Sequence, residues 1–336
     1  MSQLEEGKKS SIPFLRSGIL GVDTLDPSIR TYIENRIGKE LYYTSYKKIR
    51  VYTYSQHVSA REVKLMIKRA YIMRQLFAPP ETKIRIYYFP TPYKKMMPKF
   101  KQSLEAKHIN SGFTFAGKFT VIFRQEEALK VLVHEMLHYF NIDGPYAIYN
   151  VPPGLFFNYV KLKKNKDLLI DEVFAETYAI ILNAMFVATE KTKDFEQLLD
   201  QEREFGIKQS GKILSFFGFR NIDQFIKHCC NSAWMSEPIQ SYRPSLEVIT
   251  PAVVEYYFLR SALLFKLSRA IRVISDPHEI MNILTEAVND FEFKKAINNS
   301  IKYWVSDNGV PRRTSEWGTL RMSIVDSNTF SFFLNQ

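Results

Sequence analysis

The residues best placed to do chemistry are His134, Glu135 and His138, in the run Val131-Leu-Val-His-Glu-Met-Leu-His-Tyr-Phe140. The pattern is HExxH. On a helix, residues four apart share a face. His134 and His138 can then offer two imidazoles to one metal ion, with Glu135 beside them to take a proton from a water that the ion activates. Leu132, Val133, Met136, Leu137 and Phe140 make the helix apolar, which predicts burial and the rigidity a metal site needs. The blander alternative is a structural helix whose two histidines are simply hydrogen-bonded.

Two imidazoles do not complete a site. A catalytic zinc takes three protein ligands and keeps one position open. Downstream, an apolar helix predicted over 166–188 carries Asp171-Glu172-Val-Phe-Ala-Glu176. Glu172 and Glu176 share one face, with Ile170, Val173, Phe174, Tyr178 and Ile181 opposite. One carboxylate could bind the ion while the other accepts an N–H from a ligand histidine and fixes its tautomer. The competing reading is a solvated helix face.

Together the two motifs resemble the glutamate-zincin clan of metallopeptidases. There the second helix carries N-E-x-x-S-D in one branch and N-E-G-F-A in an aminopeptidase-like branch, and 171–176 is similar to both. The resemblance implies Glu172 as third ligand and Glu176 as the acid behind a histidine. It also implies one Zn2+ per chain and peptide-bond hydrolysis with Glu135 as general base. It further implies that an edge strand before the active helix binds extended substrate, here 111–116 with Ser111, Gly112 and Phe113. A tyrosine or histidine from the C-terminal part would stabilise the oxyanion. Tyr242 and Tyr257 are put forward for this, ahead of Tyr256, His228 and His278. The chain departs from the clan in three ways: 33 residues separate His138 from Glu172, Asp171 stands where asparagine is usual, and Asn110-Ser-Gly-Phe replaces the aminopeptidase G-x-M-E-N. The likeness spans about 49–188 and extends to the clan, not to one family.

The elements that must hold these residues read as α+β. A short helix is predicted near 29–37, a strand at 49–54, a helix at 59–77 with a Ser59/Glu62 capping box, and a strand at 83–89. A hairpin at 111–116 and 119–124 turns at Gly117-Lys118, and the HExxH helix opens at Gln125. From 166 to about 302 the pattern is helical: 166–188, 194–217, 222–230, 251–274 and 277–301. The expected fold is zincin-like: a small twisted mixed sheet with the active helix, followed by a mostly helical part. The expected organisation is an irregular arm at 1–30, an N-terminal subdomain at 31–140, a helical subdomain at 141–308 and a mixed end at 309–336. Short extended pieces are expected near 320–325.

Composition narrows the class. With 336 residues, 46% of them hydrophobic, the chain can bury a large core and is not disordered. No apolar run reads as a membrane span, and the start lacks the apolar core of a signal peptide, so no membrane partner and an intracellular, cytoplasmic setting are expected. Cys229 and Cys230 are adjacent and build no disulfide framework. The net charge of +11 points to acidic partners. Arg243, Arg260, Arg312 and Arg313 are candidates for a carboxylate of an acidic peptide or protein substrate. The basic residues are scattered, and no zinc-finger spacing, RNA-binding signature or Gly-rich phosphate loop occurs. Nucleic acid is therefore the weaker partner. Two alternatives remain: an inactive zincin fold used for binding, and a basic nucleic-acid-associated protein with a structural metal.

Overall fold

The computed structural model describes residues 4–10, 25–38, 40–98, 104–147, 169–230, 253–267, 274–306, 312, 314 and 316–325. Within them the chain is α+β, built on a mixed six-stranded sheet. The strands are β1 (Glu5–Ser10), β2 (Glu40–Tyr46), β3 (Ile49–Thr53), β4 (Ile84–Tyr88), β5 (Gly112–Phe115) and β6 (Phe119–Ile122). Their order across the sheet is β1-β2-β3-β4-β6-β5. The β3–β4 and β4–β6 pairs are parallel and the others antiparallel.

Period-two alternation separates the two faces. Ile49, Val51, Ile84, Ile86, Tyr88 and Ile122 face the main core, with α2 (Ala60–Phe77) and α4 (Ala128–Tyr139). Tyr52, Tyr87, Phe89, Phe119, Val121 and Phe123 face the other way, onto Ile29 and Ile33 of α1 (Pro27–Glu34). Parallel neighbours need a crossover, and α2 supplies the one between β3 and β4. Ser59 caps it by accepting from the Glu62 N–H. Gly117 sits at φ +65° in the β5–β6 turn, a conformation that favours glycine.

Three expectations change here. Residues 5–10 of the predicted arm form β1, whose backbone pairs antiparallel with β2. The second strand, β2, carries Leu41-Tyr-Tyr-Thr-Ser-Tyr46 and went unread because its burial alternates only weakly. The helix predicted over 277–301 breaks at Asp290, whose carboxylate accepts from the Glu292 and Phe293 N–H groups and starts a new helix.

The helical part comprises α6 (Ile170–Lys191), α7 (Phe195–Phe216), α8 (Ile222–Cys230), a π-helix (Val254–Leu259) running into α9 (Arg260–Leu267), α10 (Pro277–Asn289) and α11 (Phe291–Trp304). Two single-turn helices, α3 (Ala106–Ile109) and α5 (Gly144–Ala147), stand before β5 and after α4 in the chain. One hydrophobic cluster runs from Ile49 of the sheet through α4 and α6 to Met322. By length and hydropathy α6 could cross a membrane, which the sequence reading did not foresee. Yet 72% of its apolar window is buried against the rest of the chain, as befits a core helix.

Near the C-terminus, 320–325 forms no strand. It lies buried, with its backbone held by side chains. Tyr257 donates to the Leu320 carbonyl, Gln209 to that of Arg321 and Arg260 to that of Met322. Glu127 accepts from the Met322 and Ser323 N–H groups, and Glu202 from those of Ile324 and Val325.

Candidate metal centre

Helix α4 packs against α6 across the core, so the HExxH face meets the Glu172/Glu176 face. His134 Nε2 and His138 Nε2 lie 3.0 Å apart. Glu172 Oε2 is 3.5 Å from the first and 3.6 Å from the second. Tetrahedral ligands with bonds of about 2.0–2.1 Å stand roughly 3.3 Å from one another. The three donor atoms thus span the face that one such ion would use, and this His-His-Glu group can hold a metal. The cluster is not sealed: the His138 and Glu172 side chains keep 18% and 21% of their exposure.

Each imidazole has a carboxylate behind it. Asp143 Oδ2 is 2.6 Å from His138 Nδ1. It gets there through the end of α4, where Asn141 takes a left-handed conformation, φ +56°. The Ile142 N–H returns to the Leu137 carbonyl and the Asn141 N–H to that of His138, closing a Schellman turn. Gly144 lies so close to Asn141 that a Cβ would stand 2.4 Å from Nδ2. Gly144 and Pro145 begin α5, so the residue that ends α4 is Asn141. Behind the other imidazole, Glu176 Oε2 is 3.1 Å from His134 Nδ1, close but not aligned as a full hydrogen bond.

The charges explain why this pocket suits a cation. Burial works against ionising His138, yet Asp143 and Glu172 outweigh it and hold its pKa up to about 11. Burial likewise opposes the Glu172 carboxylate, but the two histidines and Tyr256 bring it down to about 2. Four carboxylates, Glu135, Asp143, Glu172 and Glu176, adjoin the two imidazoles. Among the described residues, the lysine and arginine that lie by this group are Lys130 and Arg260, and both face Glu176.

Glu135 turns away from α6 towards the sheet. Its Oε2 accepts from the Thr114 hydroxyl of β5 at 2.7 Å, and burial pushes its pKa up against the pull of both histidines. Thr114 and Gly112 share the β5 face that meets α4. A Cβ on Gly112 would lie 2.8 Å from both Glu135 Oε1 and the Val121 carbonyl, so glycine lets the edge strand approach. β5 is the edge of the sheet, as the substrate expectation requires. Phe113, between those two residues, packs with the cluster on the other face, so only its backbone shares the edge with Gly112. Ser111 is buried, and its carbonyl accepts from the Phe123 N–H.

The tyrosines need correction. Tyr257, put forward for the oxyanion, is fully buried and donates to the Leu320 carbonyl, not to the His134/His138/Glu172 group. Its neighbour Tyr256 is the residue at the site. Tyr256 donates to Glu172 Oε2 at 3.0 Å, and its ring lies 6.0 Å from that of His134. The π-helix decides this by aiming three successive side chains at different partners: Glu255 accepts from the Leu169 N–H at the start of α6, Tyr256 meets Glu172, and Tyr257 meets 320.

Arg260 is likewise no substrate residue, being fully buried against Met322 and Glu176. Tyr242 and Arg243 lie outside the described residues, as do Arg313 and the side chain of His228. His278 is exposed on the first turn of α10. Asp143, Thr114 and Lys130 were not among the candidates read from the sequence, and Tyr256 stood there behind Tyr257. Of the first three, only Lys130 left a signal, as a lysine in an otherwise apolar helix.

Comparison with known proteins adds little. An uncharacterized protein of Acanthamoeba polyphaga mimivirus is 25% identical over 193 residues, 52% of this chain and 45% of that protein. The chain thus matches less than half of that relative's length. No family model matches, and no solved structure does.

Proposed function

We propose that this chain is a zinc-dependent metallopeptidase of zincin-like fold. The observation that carries the reading is the meeting of the His134 and His138 donor atoms of α4 with Glu172 of α6, within 3.0–3.6 Å of one another and beside Glu135 of α4. Imidazole and carboxylate donors in this set suit zinc. Bound there, zinc would supply Lewis acidity, polarising a scissile carbonyl and acidifying water.

The chain's own residues would do the rest. Glu135 would take the proton of the attacking water at its carboxylate and return it to the leaving amine. Thr114 holds that carboxylate in one orientation. The outer edge of β5, which pairs with no strand among the described residues, would bind an extended peptide through its backbone. Acidic peptides remain the proposed preference from net charge, though Arg260 plays no part in it.

Elemental analysis and a cleavage assay test the reading together. The wild type should carry about one zinc per chain and cleave members of a peptide library. His138→Ala and Glu172→Ala should lose the metal, whereas Glu135→Gln should keep it and lose turnover. A wild type that stays metal-free after zinc reconstitution, or a Glu135→Gln variant with full hydrolysis, would sink the proposal.

A further inference from the structure

A lysine and an arginine are buried behind the metal centre, where a charge is costly unless paired. Lys130 lies one turn before His134 on α4 and is 1% exposed. Its ammonium pairs with Glu176 Oε1. Arg260 is fully buried, and its Nη1 lies 3.8 Å from the same oxygen. The other oxygen, Oε2, faces His134 Nδ1. The cations thus occupy one side of Glu176 and leave the other for the imidazole.

Arg260 has few other partners. Its Nη1 donates to the Met322 carbonyl, while Nε and Nη2 meet no acceptor among the described residues. The position of this guanidinium is therefore set by Glu176 on one side and by segment 316–325 on the other. Lys130 also touches that segment, at 3.9 Å from Met322 Sδ. The segment itself is held by buried side chains of Glu127, just before α4, and of α7, the π-helix and α9.

We propose that Lys130 and Arg260 are positioning residues of the metal centre. They fix Glu176 against His134, and through Arg260 the metal affinity depends on the seating of segment 316–325. The inference rests on the metal reading above. A carboxylate behind a ligand histidine sets the ring's orientation, and losing such a partner typically costs about 10–100-fold in metal affinity. Here the carboxylate itself needs an anchor, since its contact with His134 is not aligned tightly enough to hold it.

Competition of the full-length protein with a chromophoric chelator for zinc provides the test, with circular dichroism and a cooperative melt confirming that each variant is folded. Lys130→Met and Arg260→Met should bind zinc at least about tenfold more weakly. Lys130→Arg, which keeps a cation at the same carboxylate, should stay within about threefold of wild type. Leu320→Ala, a change in the segment and not in the site, should also weaken zinc. If Lys130→Met does not fold, Lys130→Gln, which keeps a donor but no charge at Glu176, should show a loss between those of Lys130→Arg and Arg260→Met. Folded variants that bind zinc like the wild type would overturn the positioning role while leaving the metal reading intact. A wild type that binds no zinc would instead remove the metal reading and this inference with it.

Discussion

Asp143 Oδ2 stands 2.6 Å from His138 Nδ1, five residues on in the chain and already outside the helix that carries the histidine. The Schellman turn at Asn141 makes this possible by folding the chain back over the last turn of α4. Asp143→Asn keeps an oxygen at that place but removes the charge. Zinc affinity should fall about tenfold, and in Asp143→Ala towards the hundredfold end of the usual range, with the fold retained. Chelator competition on both variants measures this. Unchanged affinity in Asp143→Ala would show that the turn serves folding alone.

The adjacent tyrosines separate two roles. Tyr256→Phe removes the hydroxyl that donates to Glu172 Oε2, so it should weaken zinc binding several-fold with little change in the melting temperature of the metal-free protein. Tyr257→Phe should do the opposite. Its lost bond to the Leu320 carbonyl leaves a buried acceptor unmet, costing about 1–3 kcal/mol of stability. Thermal melts and zinc titrations of the pair read the two effects independently. The same result for both variants would refute the division.

Gly112 is where edge strand β5 comes close to Glu135 of α4. Gly112→Ala places a methyl 2.8 Å from Glu135 Oε1 and from the backbone carbonyl of Val121. The carboxylate can swing aside, but the carbonyl cannot without moving β6. Zinc content should survive and peptide hydrolysis should fall at least about tenfold, since catalysis is sensitive to displacements near 1 Å. Thr114→Val, which removes the hydroxyl from Glu135, should show the same pattern more mildly. A Gly112→Ala variant with wild-type turnover would place Glu135 elsewhere during the reaction.

Glu202 gives a pH signature in stability, at a carboxylate outside the His134/His138/Glu172 group. Burial raises its pKa to about 7, against the hydrogen bonds from Ser323, Val325 and Ile324 that favour its charged form. A folded-state pKa above the unfolded value means that the native protein holds the proton more tightly. The stabilisation from this group is therefore complete below the unfolded value and is lost as pH rises towards 7. Glu202→Gln keeps the accepting oxygen and cannot ionise. Its melting temperature should match wild type near pH 4 and exceed it above pH 7, by up to the order of 3 kcal/mol in stability. Parallel pH profiles for the two proteins would show that Glu202 does not titrate in this range.

Much of this site could be read from the chain because its parts are local. HExxH and the Glu172/Glu176 pair are both i,i+4 patterns, and helical geometry puts each pair on one face whatever surrounds it. The alternating strands and the glycine-turned hairpin are local in the same way, and they predicted the edge strand β5. Tertiary packing decided the rest. Only the docking of α4 on α6 shows that Glu172 approaches the histidines while Glu176 stands behind His134. Tyr256 and Tyr257 are chemically alike and adjacent, so no local pattern could choose between them; the π-helix, set by contacts with Leu169, Glu172 and 320, did. Arg260 looked like a free cation for a substrate because its partners, Glu176 and Met322, lie 84 and 62 residues away. Side-chain periodicity is a property of the local backbone, whereas the partner of a buried charge is fixed by whichever distant segment fills the space beside it.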